Sequence, residues 1–323
     1  MATDPNPRTV NAANMRARFI MEMAAAMVAD ENQVYREPEL YIGTDGDAGE
    51  PVSLSASSTL DGVGRVISGE IDLCFLNPSS ALTVACRGKG THFTEPLPLR
   101  AVTVLPSRDQ CMFAVHGSTG LTHVEDIERQ KYPLKIGMRG RAEHWLNIML
   151  EDIFKACGFS VEELQSWGGE VRRAGHIPRP DTQKFKDLVA GKLTGVFDEG
   201  VHGWADFATP AGLTVLRFED ETLAKLEDMG YRRDLLEKSL YPSLPDDIPT
   251  LDFSGWPVFV REDADDDTVR RICAGLEARK DMIPWEGSGP LPLDRMCTNT
   301  PEAPLDVPLH PAAEKFWAGC GYL

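Results

Sequence analysis

The sequence lacks the features that would assign it at once to several large classes of protein. It contains no apolar run of the roughly 18 residues that a transmembrane helix needs. Basic residues are scarce: 33 Lys and Arg face 50 Asp and Glu, so the net charge is −17. Because nucleic acids and anionic membranes bind basic patches, we expect neither as a partner. A small anionic ligand remains compatible with this balance, since a few arginines can dominate the field inside a cleft.

Cysteine usage excludes two further classes of site. The chain has seven cysteines, an odd number, and none stands in a C-x-x-C pair. No two of its seven histidines lie four residues apart on one predicted helix. The spacing that a metal site requires is therefore missing, and we expect no metal. Several cysteines sit within apolar runs, which predicts buried free thiols and a reducing compartment.

The common nucleotide-binding and hydrolase motifs are also missing. The sequence has no G-x-x-x-x-G-K-[ST], no G-x-G-x-x-G after a strand and no G-x-S-x-G. Nucleotide hydrolysis, dinucleotide redox chemistry and α/β-hydrolase chemistry are not expected. No cofactor is predicted.

The first thirty residues resemble a folded helix more than an export signal. Met15, Phe19, Met23 and Met27 recur at helical spacing, and Glu22 interrupts the apolar stretch. This pattern predicts an amphipathic helix over residues 12–29. We therefore expect a cytoplasmic location, or a periplasmic one if a signal peptide has been removed from the chain.

The rest of the chain alternates strands with helices, which is typical of an α/β fold with mainly parallel sheets. Predicted strands cover residues 39–43, 70–76, 99–105, 111–116, 134–137, 195–199, 213–218 and 255–260. Predicted helices cover residues 58–67, 81–86, 142–157, 182–190, 219–229 and 265–279. Ser58 and Asp265 are predicted N-caps, and Gly158 is a predicted C-cap. Short extended segments are predicted at residues 9–11 and 171–175.

Two distant segments resemble motifs of one protein family. Residues 68–81, Ser-Gly-Glu-Ile-Asp-Leu-Cys-Phe-Leu-Asn-Pro-Ser-Ser-Ala, look like its G-E-x-D-hydrophobic strand. The closing His310-Pro311-Ala312-Ala313 resembles its H-P-G-A segment, with alanine in the glycine position. The family that these segments resemble is the TAXI family, the solute receptors of TRAP transporters. His310 itself is interpreted as a packing or hydrogen-bonding anchor that returns the end of the chain to the first lobe.

The resemblance implies a two-lobed fold like that of type II periplasmic binding proteins, with a ligand cleft between the lobes. The first lobe would consist of residues 1–105 plus 216–323, and the second of residues 106–215. The family ligand that this implies is a small organic carboxylate. A homo-oligomer is compatible with the sequence.

Candidate ligand-binding residues lie where predicted helices begin, because free N–H groups and the helix dipole favour anions there. In this fold the expected positions are Asn14, Asn77 with Ser79 and Ser80, and Arg139 with Arg141. The two arginines could each grip a carboxylate with two hydrogen bonds. For the serines, simple helix capping is an equally good interpretation.

A second group of candidates follows the strand at residues 195–199. Glu199 and His202 could perform general acid–base catalysis, and Trp204 could form an aromatic wall of the cleft. A polar hinge loop and ordinary core packing are the competing interpretations.

Two functions therefore follow from the sequence. The first is binding of a small carboxylate in an interlobe cleft, as in a solute receptor. The alternative is a cytosolic enzyme on the same scaffold, such as a decarboxylase or lyase of an aromatic or dicarboxylic acid. Fold alone does not distinguish the two.

Overall fold

The computed structural model describes residues 12–29, 37–44, 50–57 and 59–323. The predicted extended segment at 9–11 and the predicted cap Ser58 lie outside these ranges.

Twelve strands and twelve α-helices make up the described part of the chain. The strands are β1 (Glu39–Ile42), β2 (Val52–Ser57), β3 (Leu73–Leu76), β4 (Leu99–Leu105), β5 (Met112–His116), β6 (Lys135–Met138), β7 (Glu170–Arg173), β8 (Gly195–Asp198), β9 (Leu213–Val215), β10 (Arg233–Leu236), β11 (Ile248–Leu251) and β12 (Trp256–Arg261). The helices are α1 (Ala12–Val28), α2 (Asp61–Ser68), α3 (Ser79–Arg87), α4 (Asp126–Arg129), α5 (Trp145–Cys157), α6 (Val161–Ser166), α7 (Gln183–Val189), α8 (Ala205–Ala208), α9 (Asp220–Met229), α10 (Asp266–Arg279), α11 (Leu293–Met296) and α12 (Pro311–Cys320).

Two five-stranded sheets form the centres of two lobes. The first sheet has the order β1-β2-β3-β12-β4, and the second has the order β7-β6-β8-β5-β9. In each sheet one inner strand, β12 or β5, runs antiparallel to both of its neighbours. The predicted two-lobed α/β fold is confirmed, with mixed sheets in place of mainly parallel ones because of these two strands and of the antiparallel pair β1–β2.

The lobes are joined by two crossover segments that pair with each other. The first runs from β4 to β5 and the second from β11 to β12. Gln110 and Asp252 form an antiparallel bridge, and the amides of Cys111 and Phe253 donate to the carbonyls of Leu251 and Asp109. The two connections therefore form one hydrogen-bonded hinge between the two sheets.

The hydrophobic core covers both faces of the first sheet and extends into the second lobe. Cys74, Leu76 and Phe259 belong to a large cluster that continues across the interface to α5. On the other face, Leu73, Val258 and Val260 pack in a second cluster with α10 and α12. This alternation along β3 and β12 follows from the two-residue period of a strand.

Three strands were missing from the sequence-based prediction. The strand β2 has the sequence Val-Ser-Leu-Ser-Ala-Ser, in which apolar and polar residues alternate as expected of a strand. The pattern was missed because a turn-rich segment precedes it. The strands β10 and β11 are short and pair only with each other; one is charged and the other contains a proline. Elsewhere the predicted elements are present within a few residues, as at α10, where Asp265 caps the helix by accepting from the Thr268 amide.

The division into lobes at residues 105 and 215 stays a prediction. Strands β1 to β4 and β12 share one sheet, and β5 to β9 share the other. The segment that contains α9, β10 and β11 contributes a strand to neither. Arg87 of α3 donates to the Glu227 carbonyl of α9, while Lys225 of α9 donates to the Ala156 carbonyl of α5. The segment thus contacts both lobes beside the hinge.

Within the described ranges, no helix is both long and apolar enough to cross a membrane.

The C-terminal helix is anchored by the predicted residue His310, which is 2% exposed. Its backbone amide donates to the Ala101 carbonyl at 2.8 Å, and its Nδ1 accepts from the Ala312 amide at 3.2 Å. The side chain is therefore the N-cap of α12, and the backbone joins this helix to β4. The anchoring role predicted for His310 is confirmed.

We expect His310→Ala to lower the free energy of unfolding by about 1–2 kcal/mol, because it removes the cap of a buried helix start. Urea denaturation measures this change. The matched control is Lys315→Ala on the exposed side of the same helix, which we expect to change stability by less than about 0.5 kcal/mol. Equal effects of the two substitutions would contradict the capping role.

Candidate functional site

A cavity of about 770 Å³ lies between the two lobes. Its volume falls within the range of small-molecule sites in proteins. The residues that line it are Glu37, Ala56, Ser57, Phe75, Leu76, Asn77, Arg139, Gly140, Arg141, His144, Gly175, His176, Glu199 and Trp256.

The two walls of the cavity differ in chemistry. The first-lobe wall consists of the ends of β2 and β3 and the start of β12, all at one edge of the sheet. It is largely apolar: Phe75 and Trp256 meet edge to face, with ring centroids 5.6 Å apart and planes at 89°. The second-lobe wall carries the charged and imidazole side chains of Arg139, Arg141 and Glu199 with two histidines. A ligand that fits both walls has a polar part and an apolar part.

Contacts across the cleft hold the lobes together at the rim of the cavity. The Leu60 amide donates to the Glu143 carbonyl at 3.2 Å, and Thr59 forms an antiparallel bridge with His144. Arg141 forms an ion pair with Glu37 of the first lobe. The structure therefore describes a closed arrangement of the lobes.

A buried ion network lies behind the second-lobe wall. Asp198, at the end of β8, is 0% exposed. Its two oxygens accept from Arg139 Nε at 2.7 Å and from Lys184 Nζ at 3.0 Å. Nη2 of the same guanidinium donates to Glu199. Burial lowers the pKa of Lys184, and Asp198 opposes that shift.

Glu199 is the titrating group of the cavity. Burial raises its pKa to about 7, with the negative charges of Asp109 and Asp198 adding to the rise and Arg139 opposing it. The Gly200 amide that follows donates to both oxygens of Asp109, at 3.1 and 3.0 Å. Gly200 has φ +63°, and an added Cβ would lie 2.5 Å from Ile177. The loop that presents Glu199 is thus fixed to the first crossover segment.

His144 contributes a neutral imidazole. Its Nδ1 caps α5 by accepting from the Leu146 amide at 3.2 Å. Burial lowers its pKa to about 4, and the charge of Arg139 adds to the effect. Because Nδ1 accepts a hydrogen bond, the proton of the neutral ring is assigned to Nε2. His144 therefore offers one hydrogen-bond donor beside the cavity.

Asn147, which is 1% exposed, fixes the loop between β6 and α5. Its Nδ2 donates to the carbonyls of Arg139 at 3.3 Å and Arg141 at 2.6 Å. Two backbone oxygens of the arginine loop are thereby tied to the first turn of α5. This bond holds both guanidinium-bearing residues at the helix start.

The predicted residues Asn77, Arg139, Arg141 and Glu199 line the same cavity. Ser79 and Ser80 begin α3 just behind Asn77 but do not line it; they are 5% and 4% exposed. Within the part of the chain that the structure describes, the oxygens Asn77 Oδ1, Ser79 Oγ and Ser80 Oγ are buried and have no hydrogen-bond partner. Neither serine caps α3, whose N-cap is Pro78. Their role as ligand contacts stays a prediction.

Two of the other three candidates, Trp204 and His202, do not line the cavity. Trp204 is 0% exposed in the core of the second lobe, and its Nε1 donates to the Glu199 carbonyl at 3.1 Å. It therefore supports the Glu199 loop from behind. His202 is exposed, whereas Glu199 faces the cavity. Asn14 lies in α1, and its side chain lies outside what the structure describes.

Sequence reasoning missed several residues of the cavity wall, notably Glu37, Phe75, His144, His176 and Trp256. The sequence did contain a signal for Trp256, because this residue lies at the start of a strand. In a sheet, the first residue of an antiparallel strand lies at the same edge as the last residues of its neighbours. His144 and His176 gave no local signal, because only the tertiary fold brings their loops to the cleft.

Comparison with family models gives one match, to the NMT1-like family over residues 51–321. The chain belongs to this family. The match includes both lobes and every lining residue of the cavity except Glu37, while α1 and β1 precede it. Comparison with curated proteins gives no match.

Among solved structures, this family member is similar to an ancestral arginine-binding protein bound to arginine. The identity is 12%, the match covers 69% of this chain and 73% of that one, and the TM-score is 0.34. It is also similar to the glycine/betaine/L-proline-binding protein ProX from Borrelia burgdorferi, with 13% identity, coverage of 64% and 62%, and a TM-score of 0.34. A third similar structure, a periplasmic transporter, has 15% identity, coverage of 65% and 64%, and a TM-score of 0.29.

Among the residues that the structure describes, no three His, Cys, Asp or Glu side chains are grouped so as to hold a metal ion.

Glu199 predicts a distinctive pH dependence of stability. Its folded-state pKa of about 7 lies above the ordinary value of 4.5, so the folded state binds more protons between these two pH values. The free energy of unfolding should therefore fall as pH rises through this window, by up to about 3 kcal/mol. The variant Glu199→Gln lacks this titration.

Urea denaturation of both proteins at pH 5 and pH 8 measures the effect. We expect the stability of the unsubstituted protein relative to Glu199→Gln to be lower at pH 8. If the two proteins differ in free energy of unfolding by the same amount at both pH values, Glu199 does not titrate in this window.

Proposed function

We propose that the protein binds a small organic carboxylate in the interlobe cavity. The observation that carries this proposal is the Arg139 guanidinium, which is 8% exposed and meets a titrating carboxyl group, Glu199, at the cavity wall. A ligand carboxylate offers the same acceptor geometry that Glu199 now supplies.

Protonation of Glu199 would let the Arg139 guanidinium bind a ligand anion. Arg139, Arg141 and Lys184 supply three positive charges to the ion pairs of this wall, and Glu37, Asp61, Asp198 and Glu199 supply four negative ones. Because the pKa of Glu199 is about 7, this side chain takes up a proton at little cost near neutral pH. One negative charge beside Arg139 is then removed, and a monocarboxylate would replace it.

Other donors support the same ligand class. The N-terminus of α5 opens beside Arg141 and His144, and the dipole of this 13-residue helix favours negative charge there. The neutral His144 adds a donor, and Asn77 adds an amide on the opposite wall. The segments at residues 68–81 and 310–313 resemble those of TAXI solute receptors. Within the NMT1-like family, this resemblance favours a function like that of these receptors.

We expect the protein to gain thermal stability with a carboxylate ligand, because a ligand that binds only the folded state stabilises it. A carboxylate screen by thermal shift, followed by calorimetric titration, measures this gain. Arg139→Gln should weaken binding by about 10- to 100-fold, since it removes a hydrogen bond to a charged group. Arg141→Gln provides a second test at a half-exposed position.

The matched control is Arg172→Gln, at an exposed arginine of the same lobe that forms an ion pair with Glu170. This substitution should leave affinity unchanged. Unchanged affinity in both cavity variants would remove the arginines as anchors, and a screen without any thermal shift would overturn the ligand class.

An enzyme on this scaffold is the second candidate function, and Glu199 is the observation that favours it. A buried carboxyl group with a pKa near 7 in a ligand cavity is suited to proton transfer at neutral pH. Its predicted partner His202 is exposed, so the imidazoles available to such a reaction are His144 and His176. Consumption of a bound carboxylate that stops in Glu199→Gln, with binding retained, would establish catalysis.

A cytoplasmic location and a homo-oligomer stay predictions of the sequence. Fractionation of the native host and sedimentation of the purified protein test them.

A further inference from the structure

A second cavity, of about 670 Å³, lies on the face of the first sheet that α10 covers. Its floor includes Leu54, Leu73 and Val258, and its wall includes Ile272 and Leu276 of α10. We call this feature the apolar groove. Among the described residues, α10 packs over the β3–β12 side of this face, and the apolar groove lies on its β1–β2 side.

The apolar groove adjoins the interlobe cavity. Ala56 and Phe75 line both. Phe75 is half-buried at the end of β3 and packs edge to face against Trp256 of the cavity wall. The apolar wall of the cavity therefore continues over the edge of the sheet into the groove. The two residues that line both spaces, Ala56 and Phe75, are uncharged.

Charged groups at the groove are engaged in contacts at its rim. The Arg271 guanidinium donates to the Glu50 carbonyl at 3.3 Å, and Arg279 lies 3.8 Å from Glu22 of α1. An occupant of the groove interior would thus meet mainly aliphatic side chains, whereas an occupant of the cavity meets Arg139 and Arg141.

We propose that the ligand is a carboxylic acid with an extended apolar tail, whose carboxylate binds in the interlobe cavity while its tail passes Phe75 into the apolar groove. This inference rests on the proposed function, because the cavity must bind the carboxylate first. It goes further by naming the second half of the ligand. A cavity with one charged wall, joined through its apolar wall to an apolar groove, matches one amphipathic molecule.

The protein's own first helix fills the groove only in part. Met21 of α1 lines it, but Phe19 and Ile20 of that helix are 69% and 55% exposed. The contact of α1 with Arg279 places the helix beside the groove. In the proposed complex, α1 covers the outer side of the tail.

Chain-length dependence of affinity tests the proposal. We expect the association constant of straight-chain carboxylates, from propanoate to octanoate below their micellar concentrations, to rise by about two- to fourfold per methylene. Isothermal titration calorimetry measures each constant. Short acids should bind weakly but detectably, through the arginines alone.

The variant Gly275→Leu blocks the groove with little risk to the fold. Gly275 lies in α10 and lines the groove, and an added Cβ would meet nothing within 4 Å. Leucine also favours a helix over glycine. In this variant, the association constant should no longer rise with chain length beyond the short acids. The affinity for propanoate should be unchanged. The matched control is Gly64→Leu in α2, an exposed glycine whose Cβ would also meet nothing.

The outcomes separate the two proposals. Carboxylates that bind with equal affinity at every chain length would overturn the tail site while leaving the proposed function intact. A screen in which no carboxylate binds would overturn both. If Gly275→Leu does not change the rise of affinity with chain length, the tail binds elsewhere and the proposal that the apolar groove holds it is overturned. Concentration-dependent dimerisation that Gly275→Leu abolishes, with a flat series, would assign the groove to a second copy of the chain.

Discussion

The pairing of the two crossover segments is the constraint on which the remaining structure depends. Each sheet takes an inner antiparallel strand, β5 or β12, directly from a crossover segment, so neither sheet is complete without the crossover. Asp109 extends this constraint to the site, because its carboxylate accepts from the Gly200 amide and its backbone pairs with Phe253. Burial raises the pKa of Asp109. Asp109 therefore contributes both to the hinge and to the position of the loop that carries Glu199.

Charge is organised in layers behind the cavity. Asp198 is inaccessible and neutralised by two cations, so it acts as a fixed negative centre that orients Arg139. Breaking one partner of such a buried network is costly, which makes the orientation rigid. Glu199 lies one layer closer to the ligand and titrates near neutral pH. Asp198 thus fixes the orientation of Arg139, whereas Glu199 can change its protonation state. This charged wall lies opposite the apolar surface of Phe75 and Trp256.

Local sequence patterns predicted much of the framework and part of the site. The α5 helix ends at Gly158 with φ +90°, as its sequence indicates, and Asp265 caps α10. Arg139 was found because it lies where a predicted helix begins, and Glu199 because it lies at the end of a predicted strand. Trp204 was considered as a cavity wall, yet it lies in the core. Its apolar ring and single donor suit either place, so the residue type alone did not distinguish them.

By itself, the sequence determined the α/β class, the two segments that indicate the family, and the ionisable residues at strand ends, because periodicity and capping are local properties of a chain. Only the tertiary structure decided which of these residues meet. It placed His144 beside Arg139, paired Asp198 with Lys184, and joined the apolar groove to the cavity at Phe75. These outcomes depend on the register of two sheets and the angle between two lobes, which long-range contacts fix and no short segment encodes.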